Sequence, residues 1–181
     1  MQADKHLIRN AQQGDNRAAE TLFRRYQDNI YGFLLRMTGD RDVAADATQE
    51  TFVRSYRALD RYKEQDMFKS WLFRIARNEG LRCLHKRSRM DMSGGGEALE
   101  DMMVDSRPGP GEIYERQQVS AALDRALSGL TEEERQVVHL RLKEDTPFKE
   151  IAAIMDCSIN TAVGRMHSAK KKLTRLMVRE D

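Results

Sequence analysis

From Ile159 onward, Ala162, Met166, Ala169, Leu173 and Leu176 set an apolar residue at every third or fourth position, the period of one buried helix face. A shorter apolar set, Ile151, Ala152, Ile154 and Met155, lies just before it. Pro147 suits the first turn of that shorter helix, where a missing N–H costs nothing, and Thr146 suits its cap. Between the two sits Asp156-Cys157-Ser158: Asp156 tolerates the left-handed turn conformation, and Ser158 is a good cap for the second helix. The outer face of that second helix carries Asn160, Thr161, Gly164, Arg165, His167, Ser168, Lys171 and Lys172, groups of the kinds that reach base edges and phosphates. Helix, tight turn, helix is the arrangement that lays its second member in a major groove, although a solvated face on a plain helical hairpin has the same pattern.

Context breaks that tie. The chain has 181 residues, enough for two small domains, and its net charge of +2 is unevenly spread. Residues 1–90 hold 18 basic and 12 acidic side chains, 91–115 hold 1 and 7, and 116–181 hold 12 and 10. A basic lobe is thus followed by an acidic tether and a second, mildly basic lobe. The tether, with Gly94-Gly95-Gly96 and Pro108-Gly109-Pro110-Gly111, is a flexible linker by composition. Cys83 and Cys157 are too few and too far apart for a disulfide framework, and their neighbours His85 and His167 fit no zinc spacing. No membrane span or signal peptide is apparent, so the cytoplasm is the expected compartment, with neither metal nor cofactor.

In the first lobe, Leu7, Ile8 and Ala11 predict a short helix ended by Gly14. Asp15 then caps one long helix whose apolar positions, Ala19, Leu22, Phe23, Tyr26, Ile30, Phe33, Leu34 and Met37, run to Gly39. The next helix, Asp42 to Leu59, turns Val43, Ala44, Ala47, Phe52 and Leu59 inward and leaves Asp46, Gln49, Glu50, Arg54 and Arg57 outside. Glu50 and Arg54 form a favourable pair, whereas Asp46 and Glu50 repel mildly, a stripe that suits a basic partner. After a polar loop from Asp60 to Asp66 with Tyr62 in it, Phe68, Trp71, Leu72, Ile75 and Ala76 restart an apolar face. Opposite it fall Arg74, Arg77, Asn78, Arg82, His85 and Arg89, with Trp71 at the border. Cations beside aromatics suit unpaired nucleic acid, which needs charge for its backbone and flat surfaces for its bases; an amphipathic helix at a membrane or a protein partner is the alternative. In the second lobe, the period returns from Ile113 to Leu127, and Thr131 with Glu134 makes a capping box ahead of Val137, Val138, Leu140 and Leu142. No strand pattern appears, so the expected fold is all-α: helical domains at 1–90 and 116–181, a linker at 91–115, and a helix-turn-helix at the end.

The order of these parts resembles bacterial RNA polymerase sigma factors of the extracytoplasmic-function group, over nearly the whole chain. Asp46-Ala-Thr-Gln49-Glu50-Thr-Phe52-Val-Arg54 is similar to that family's core-binding signature, and Phe68-Lys-Ser-Trp71-Leu72-Phe-Arg74-Ile75-Ala76-Arg77-Asn78 to its promoter-melting helix. Leu127 onward, through Glu150-Ile151-Ala152 and Cys157-Ser158-Ile-Asn-Thr161 to Lys172-Leu173, is similar to its second DNA-binding domain. The resemblance implies that Asp46, Gln49 and Glu50, with Arg54 beside them, dock on core RNA polymerase. It implies that Arg61, Tyr62, Lys63, Phe68, Trp71, Arg74, Arg77, Asn78 and Arg82 take the minus-10 element of promoter DNA and a base flipped from its non-template strand. The final helix would read minus-35, the linker would thread toward the polymerase active centre, and an anti-sigma factor is an expected partner. Arg82 stands where the family usually has an acid, Val163 and Gly164 where polar or basic readers are common, and Asp145 and Asp156 where glycine is frequent. A freestanding operator-binding regulator would explain the helix-turn-helix equally well, but neither the Trp71 and arginine strip nor the acidic tether. An enzyme is disfavoured: no nucleophile has a base, and no glycine loop has the lysine and helix that would cradle phosphate.

Overall fold

The computed structural model describes residues 2–63, 67–92 and 129–177, and among them every regular element is helical. The first lobe holds α1 (Gln2–Gln12), α2 (Asn16–Arg24), α3 (Gln27–Thr38), α4 (Arg41–Ala58) and α5 (Phe68–Met92). The second holds α6 (Glu132–Val138), α7 (Phe148–Met155) and α8 (Ile159–Met177). Asp91 and Met92, expected to open the acidic linker, instead end α5; the rest of the linker, and the helical period expected from Ile113 to Leu127, lie outside the described residues.

Caps start and stop these helices much as the sequence requires. Asp15 Oδ1 accepts from the Arg17 and Ala18 amides at 2.9 and 3.1 Å. Gly39 ends α3 at φ 68°, and Asp40 caps α4 while also holding Arg87 at 3.1 Å. The single long helix expected from Asp15 to Gly39 is instead two, α2 and α3, parted at Arg25 and Tyr26. The cause is a tertiary one: Asp4 on α1 accepts from Arg25 Nη1 and from Tyr26 Oη, each at 2.7 Å, and the chain bends to make both bonds. The buried face of α4 is built of small groups, Ala44, Ala47, Thr48, Thr51 and Ser55. Each of its three hydroxyls returns a bond to the carbonyl one turn back, so the helix buries them without orphan donors. On α5, Gly80 allows close approach to α3, since a Cβ there would come within 2.8 Å of Met37 Sδ and 3.0 Å of Leu34 Cδ2. α5 is therefore seated deep between α3 and α4.

In the second lobe, Thr131 and Glu134 form the expected capping box of α6. Past Val138 the helix widens over His139–Lys143, its last amide bond running from Glu144 N to His139 O at 3.2 Å. That widening exposes Leu142, 68 % accessible, while Leu140 stays in the core. Asp145 and Asp156 take left-handed conformations at φ 46° and 52°, as their turn chemistry allows. Thr146 does not cap α7: it is buried, its amide bonded to Leu140 O, and Pro147 occupies the cap position. Ser158 caps α8 through the Thr161 amide at 3.0 Å. Ile159, expected on the buried stripe of α8, is 48 % exposed, because the stripe begins at Ala162.

The two lobes are not separate in space. One apolar cluster runs from Ile8 through Phe33 and Phe73 to Val137, Leu140, Ile151 and Ala162. The rings of Phe33 and His139 meet across the junction at 5.6 Å.

Candidate nucleic-acid interface

Three surfaces collect the residues singled out in the sequence. On α4, Asp46, Gln49 and Arg54 are exposed and Glu50 is half-exposed, forming a polar stripe along one side. Arg54 Nε stands 2.7 Å from Glu50 Oε1 and 3.1 Å from Glu79 Oε2, so it bridges the stripe to α5. Glu79 is a residue that the sequence reading missed. Its side chain is only 6 % exposed, and it also holds Arg82 at 3.2 Å. Only its spacing of three from Arg82 marks it locally, and its other partner, Arg54, comes from another helix. Around this carboxylate, Arg54, Arg57, Arg61, Asn78 and Arg82 line an open cleft of about 410 Å³. One buried anion thus holds two of these arginines, Arg54 and Arg82, in place.

The second surface lies at the start of α5. Tyr62, Phe68 and Trp71 pack ring to ring, at 4.9 Å for Tyr62 and Trp71, 5.5 Å for Tyr62 and Phe68, and 5.4 Å for Phe68 and Trp71. Gln12 fixes the backbone beneath them, donating to Leu59 O and Tyr62 O at 2.9 and 2.8 Å. The three aromatics are not equivalent. Phe68 is 4 % exposed, on the apolar face where its spacing puts it, and forms the floor; of the residues that the resemblance gives to minus-10 it is the buried one among these three rings. Tyr62 and Trp71 are half-buried and line a cleft of about 320 Å³ together with Arg61, Lys63, Met67, Ser70, Arg74 and Ala153. Flat faces at the base and cations at the rim suit a base and its phosphate.

Arg77 departs from the strip on which the helical wheel put it. Its Nε donates to Gln136 Oε1 at 2.9 Å, across the lobe junction. Burial, and then the like charge of Arg165, push its guanidinium below the ordinary arginine value. Arg74, Asn78 and Arg82 remain on the accessible side, where Asn78 and Arg82 line the arginine cleft.

The third surface is the outer side of α8. Asn160, Thr161, Gly164, His167 and Lys171 are exposed, and a Cβ added at Gly164 would meet nothing within 4 Å. Ser168 and Lys172 face inward instead, donating to Glu134 at 2.6 and 2.8 Å. Arg165 is half-buried, with Nη1 enclosed. Among the described residues no group of three or more His, Cys, Asp or Glu is placed to hold a metal ion, and no helix is long and apolar enough to cross a membrane.

Comparison with known proteins decides what these surfaces belong to. Residues 22–90 match the family Sigma-70 region 2, and residues 120–173 match Sigma-70, region 4. The chain is 30 % identical to the ECF RNA polymerase sigma-E factor of Escherichia coli over 176 residues, covering 94 % of this chain and 92 % of that one. This chain belongs to the sigma-70 family, in its extracytoplasmic-function group. It is a transcription initiation factor that directs RNA polymerase to promoters. The RNA polymerase sigma-H factor of Pseudomonas aeruginosa is 29 % identical over 185 residues, covering 96 % of this chain and 93 % of that one. In fold, the chain is similar to CnrH, solved with the cytosolic domain of CnrY, at a TM-score of 0.72 and 23 % identity over 99 % of both chains. It is equally similar, at 0.72 and 24 % identity, to the sigma factor RpoE of Bartonella quintana, solved with the anti-sigma factor NepR, over 87 % of this chain and 95 % of that one.

Proposed function

We propose that this sigma factor divides its work among the three surfaces: α4 docks on core polymerase, the cleft before α5 holds the unpaired minus-10 strand, and α8 reads minus-35. The observation that carries this reading is the cleft lined by Tyr62 and Trp71 together with Arg61, Lys63 and Arg74. Stacking on such a face is worth about 1 to 3 kcal/mol per base, enough to bias a near-balanced melting step by tenfold or more. Phe68 backs the cleft, while Asn78 and Arg82 lie further along α5 on the neighbouring arginine cleft. On α8, Thr161, His167 and Lys171 project where base edges are reached, with Asn160 and Arg165 toward phosphates. Gly164 lets the helix approach the groove closely. Ser168 and Lys172 support α8 through Glu134 rather than reading DNA in this arrangement.

The protein works without catalysis of its own, in the cytoplasm, where bacterial RNA polymerase acts. An anti-sigma factor is a fitting partner, given the complexes in which its structural relatives were solved. Run-off transcription with core polymerase and a library of promoters tests the assignment: initiation should depend on two separated elements. Tight, sequence-specific binding of the free protein to one element, without core, would favour an operator-binding regulator.

A further inference from the structure

The first two turns of α8 are not an ordinary solvated surface. Val163 is 44 % exposed and Ile159 is 48 % exposed, and both lie outside the apolar cluster that joins the lobes. They stand four residues apart on one helix and so are neighbours on one side of it, and the next step of four reaches exposed His167. β-Branched side chains lose rotamer freedom in a helix, and at these positions burial within the chain offsets little of that loss. Gly164, beside Val163, is equally out of place. Its φ is not left-handed, and a Cβ added there would meet nothing within 4 Å, so neither the backbone nor packing within the chain asks for glycine. Glycine inside a helix costs stability against alanine, and one use that offsets the cost is close approach of the backbone to a ligand.

Charge decides what approaches. The 19 residues of α8 include Arg165, Lys170, Lys171, Lys172 and Arg175 and no Asp or Glu, and Lys170, Lys171 and Arg175 are exposed. Such a helix fits a polyanion, and for a chain that directs polymerase to promoters the polyanion is duplex DNA. In the major groove every base pair presents donors and acceptors, but the apolar group there is the C5-methyl of thymine. A valine side chain has no donor or acceptor to offer a base edge, and in a helix it holds one rotamer, so its methyls form a fixed apolar surface. We infer that Val163, backed by Ile159 and brought close by Gly164, is a specificity-determining residue for minus-35 that reads the C5-methyl of a thymine. This rests on the reading of α8 proposed above and adds to it the base and the group contacted.

The test uses the full chain assembled with core polymerase, on a preferred promoter from the library, with each thymine of both minus-35 strands replaced in turn by deoxyuridine. That exchange removes the C5-methyl and leaves the hydrogen-bonding edge in place. For the parent, one replacement should weaken promoter binding about fourfold, the worth of one buried methyl, and the others should do little. Val163→Ser, which lacks both methyls, should lose a similar factor on the thymine promoter and be indifferent to deoxyuridine at that position, because side chain and methyl act as a pair. Its melting midpoint should stay near the parent's, since the helix propensities of the two residues are alike. Gly164→Ala should melt higher and yet bind every promoter more weakly. A preferred minus-35 element without an A·T pair, a parent indifferent to deoxyuridine throughout, or a Val163→Ser variant as sensitive as the parent overturns the contact. A Gly164→Ala variant that binds as tightly as the parent overturns the close approach. His167→Ala separates the two failures: if it shifts base preference while the methyl proves irrelevant, α8 reads minus-35 without Val163, and if neither matters, the reading of α8 itself fails.

Discussion

Lys172 Nζ stands 2.8 Å from Glu134 Oε2, tying α8 to the cap of α6. Ser168 donates to the other oxygen at 2.6 Å, and the Thr131 amide to Oε2 at 2.8 Å, so the carboxylate joins the two ends of the second lobe. Burial alone would raise the Glu134 pKa, but bonds from Lys172, Ser168 and the Thr131 amide outweigh it and bring the value to about 2. Because the folded value lies below that of the unfolded chain, the stabilisation is present above the ordinary glutamate range and is lost as pH falls toward 2. Its size is about 1 to 3 kcal/mol, since Lys172 is partly exposed and screened. Thermal melts from pH 7 to 3 should show a falling midpoint below about pH 4.5, with a shallower slope in Glu134→Gln.

The same geometry separates two kinds of residue on α8. Lys172→Ala leaves a buried carboxylate short of its cation and should destabilise the second lobe by about 1 to 3 kcal/mol, with the promoter preference profile unaltered. His167 faces solvent, so His167→Ala should leave the melting midpoint in place and change the preference at one base, by about 1 to 3 kcal/mol. Melting curves and a promoter library, read side by side, check the pair of outcomes. A preference profile untouched at every base would remove His167 from the readers.

Local signals explain what was legible in the sequence. Asp15, Gly39, the Thr131–Glu134 box, Asp156 and Ser158 act on amides and dihedrals within a few residues, and all are found in those roles. The break at Arg25 and Tyr26 was not legible, because the apolar period continues across it and its cause, Asp4, sits on another helix. The clefts were half legible. Helical spacing gave the sector holding Arg74, Asn78 and Arg82, but not Glu79, which pairs with Arg54 across two helices. Ser168 and Lys172 read as outward because a wheel assigns a face without knowing that Glu134 is buried against it. The seam between lobes had no signature at all: Asn29 Nδ2 donates to Glu144 Oε2 across it at 2.8 Å, yet the two are 115 residues apart and each is an ordinary surface residue by its neighbours.

Melting offers a cleaner test at Tyr62 than at Trp71. Both line the cleft and each packs on two rings, but Trp71 lies within α5, whereas Tyr62 lies in the loop before it, so removing Trp71 disturbs the helix as well as the cleft. Tyr62→Ala should slow promoter opening by about tenfold or more, the worth of one stacked base, and leave core binding intact. A template supplied with the bubble already open should restore the rate. Equal weakness on premelted DNA would assign Tyr62 to the aromatic packing over Phe68.

The α4 stripe carries the prediction on which the proposed division of work most depends. Asp46 and Gln49 are exposed, and Glu50 is 45 % exposed with Arg54 as its partner. Arg54 does not rely on Glu50 alone, because Glu79 holds it from the other side at 3.1 Å. Reversing both acids, Asp46→Arg with Glu50→Arg, therefore removes a partly screened surface pair from the free protein and sets like charges one turn apart up to Arg54, each effect worth about 0.2 to 0.5 kcal/mol. Helical content and the melting midpoint should stay close to the parent. On a cationic docking surface the same change meets like charge at each site, and reversing charges that become buried costs about 2 kcal/mol or more apiece. Capture by core polymerase in a pull-down should then be abolished, and neither raised salt nor the Glu134 and Tyr62 backgrounds should restore it. Normal capture by the folded double variant would move the docking surface off this stripe, toward the arginine cleft around Glu79.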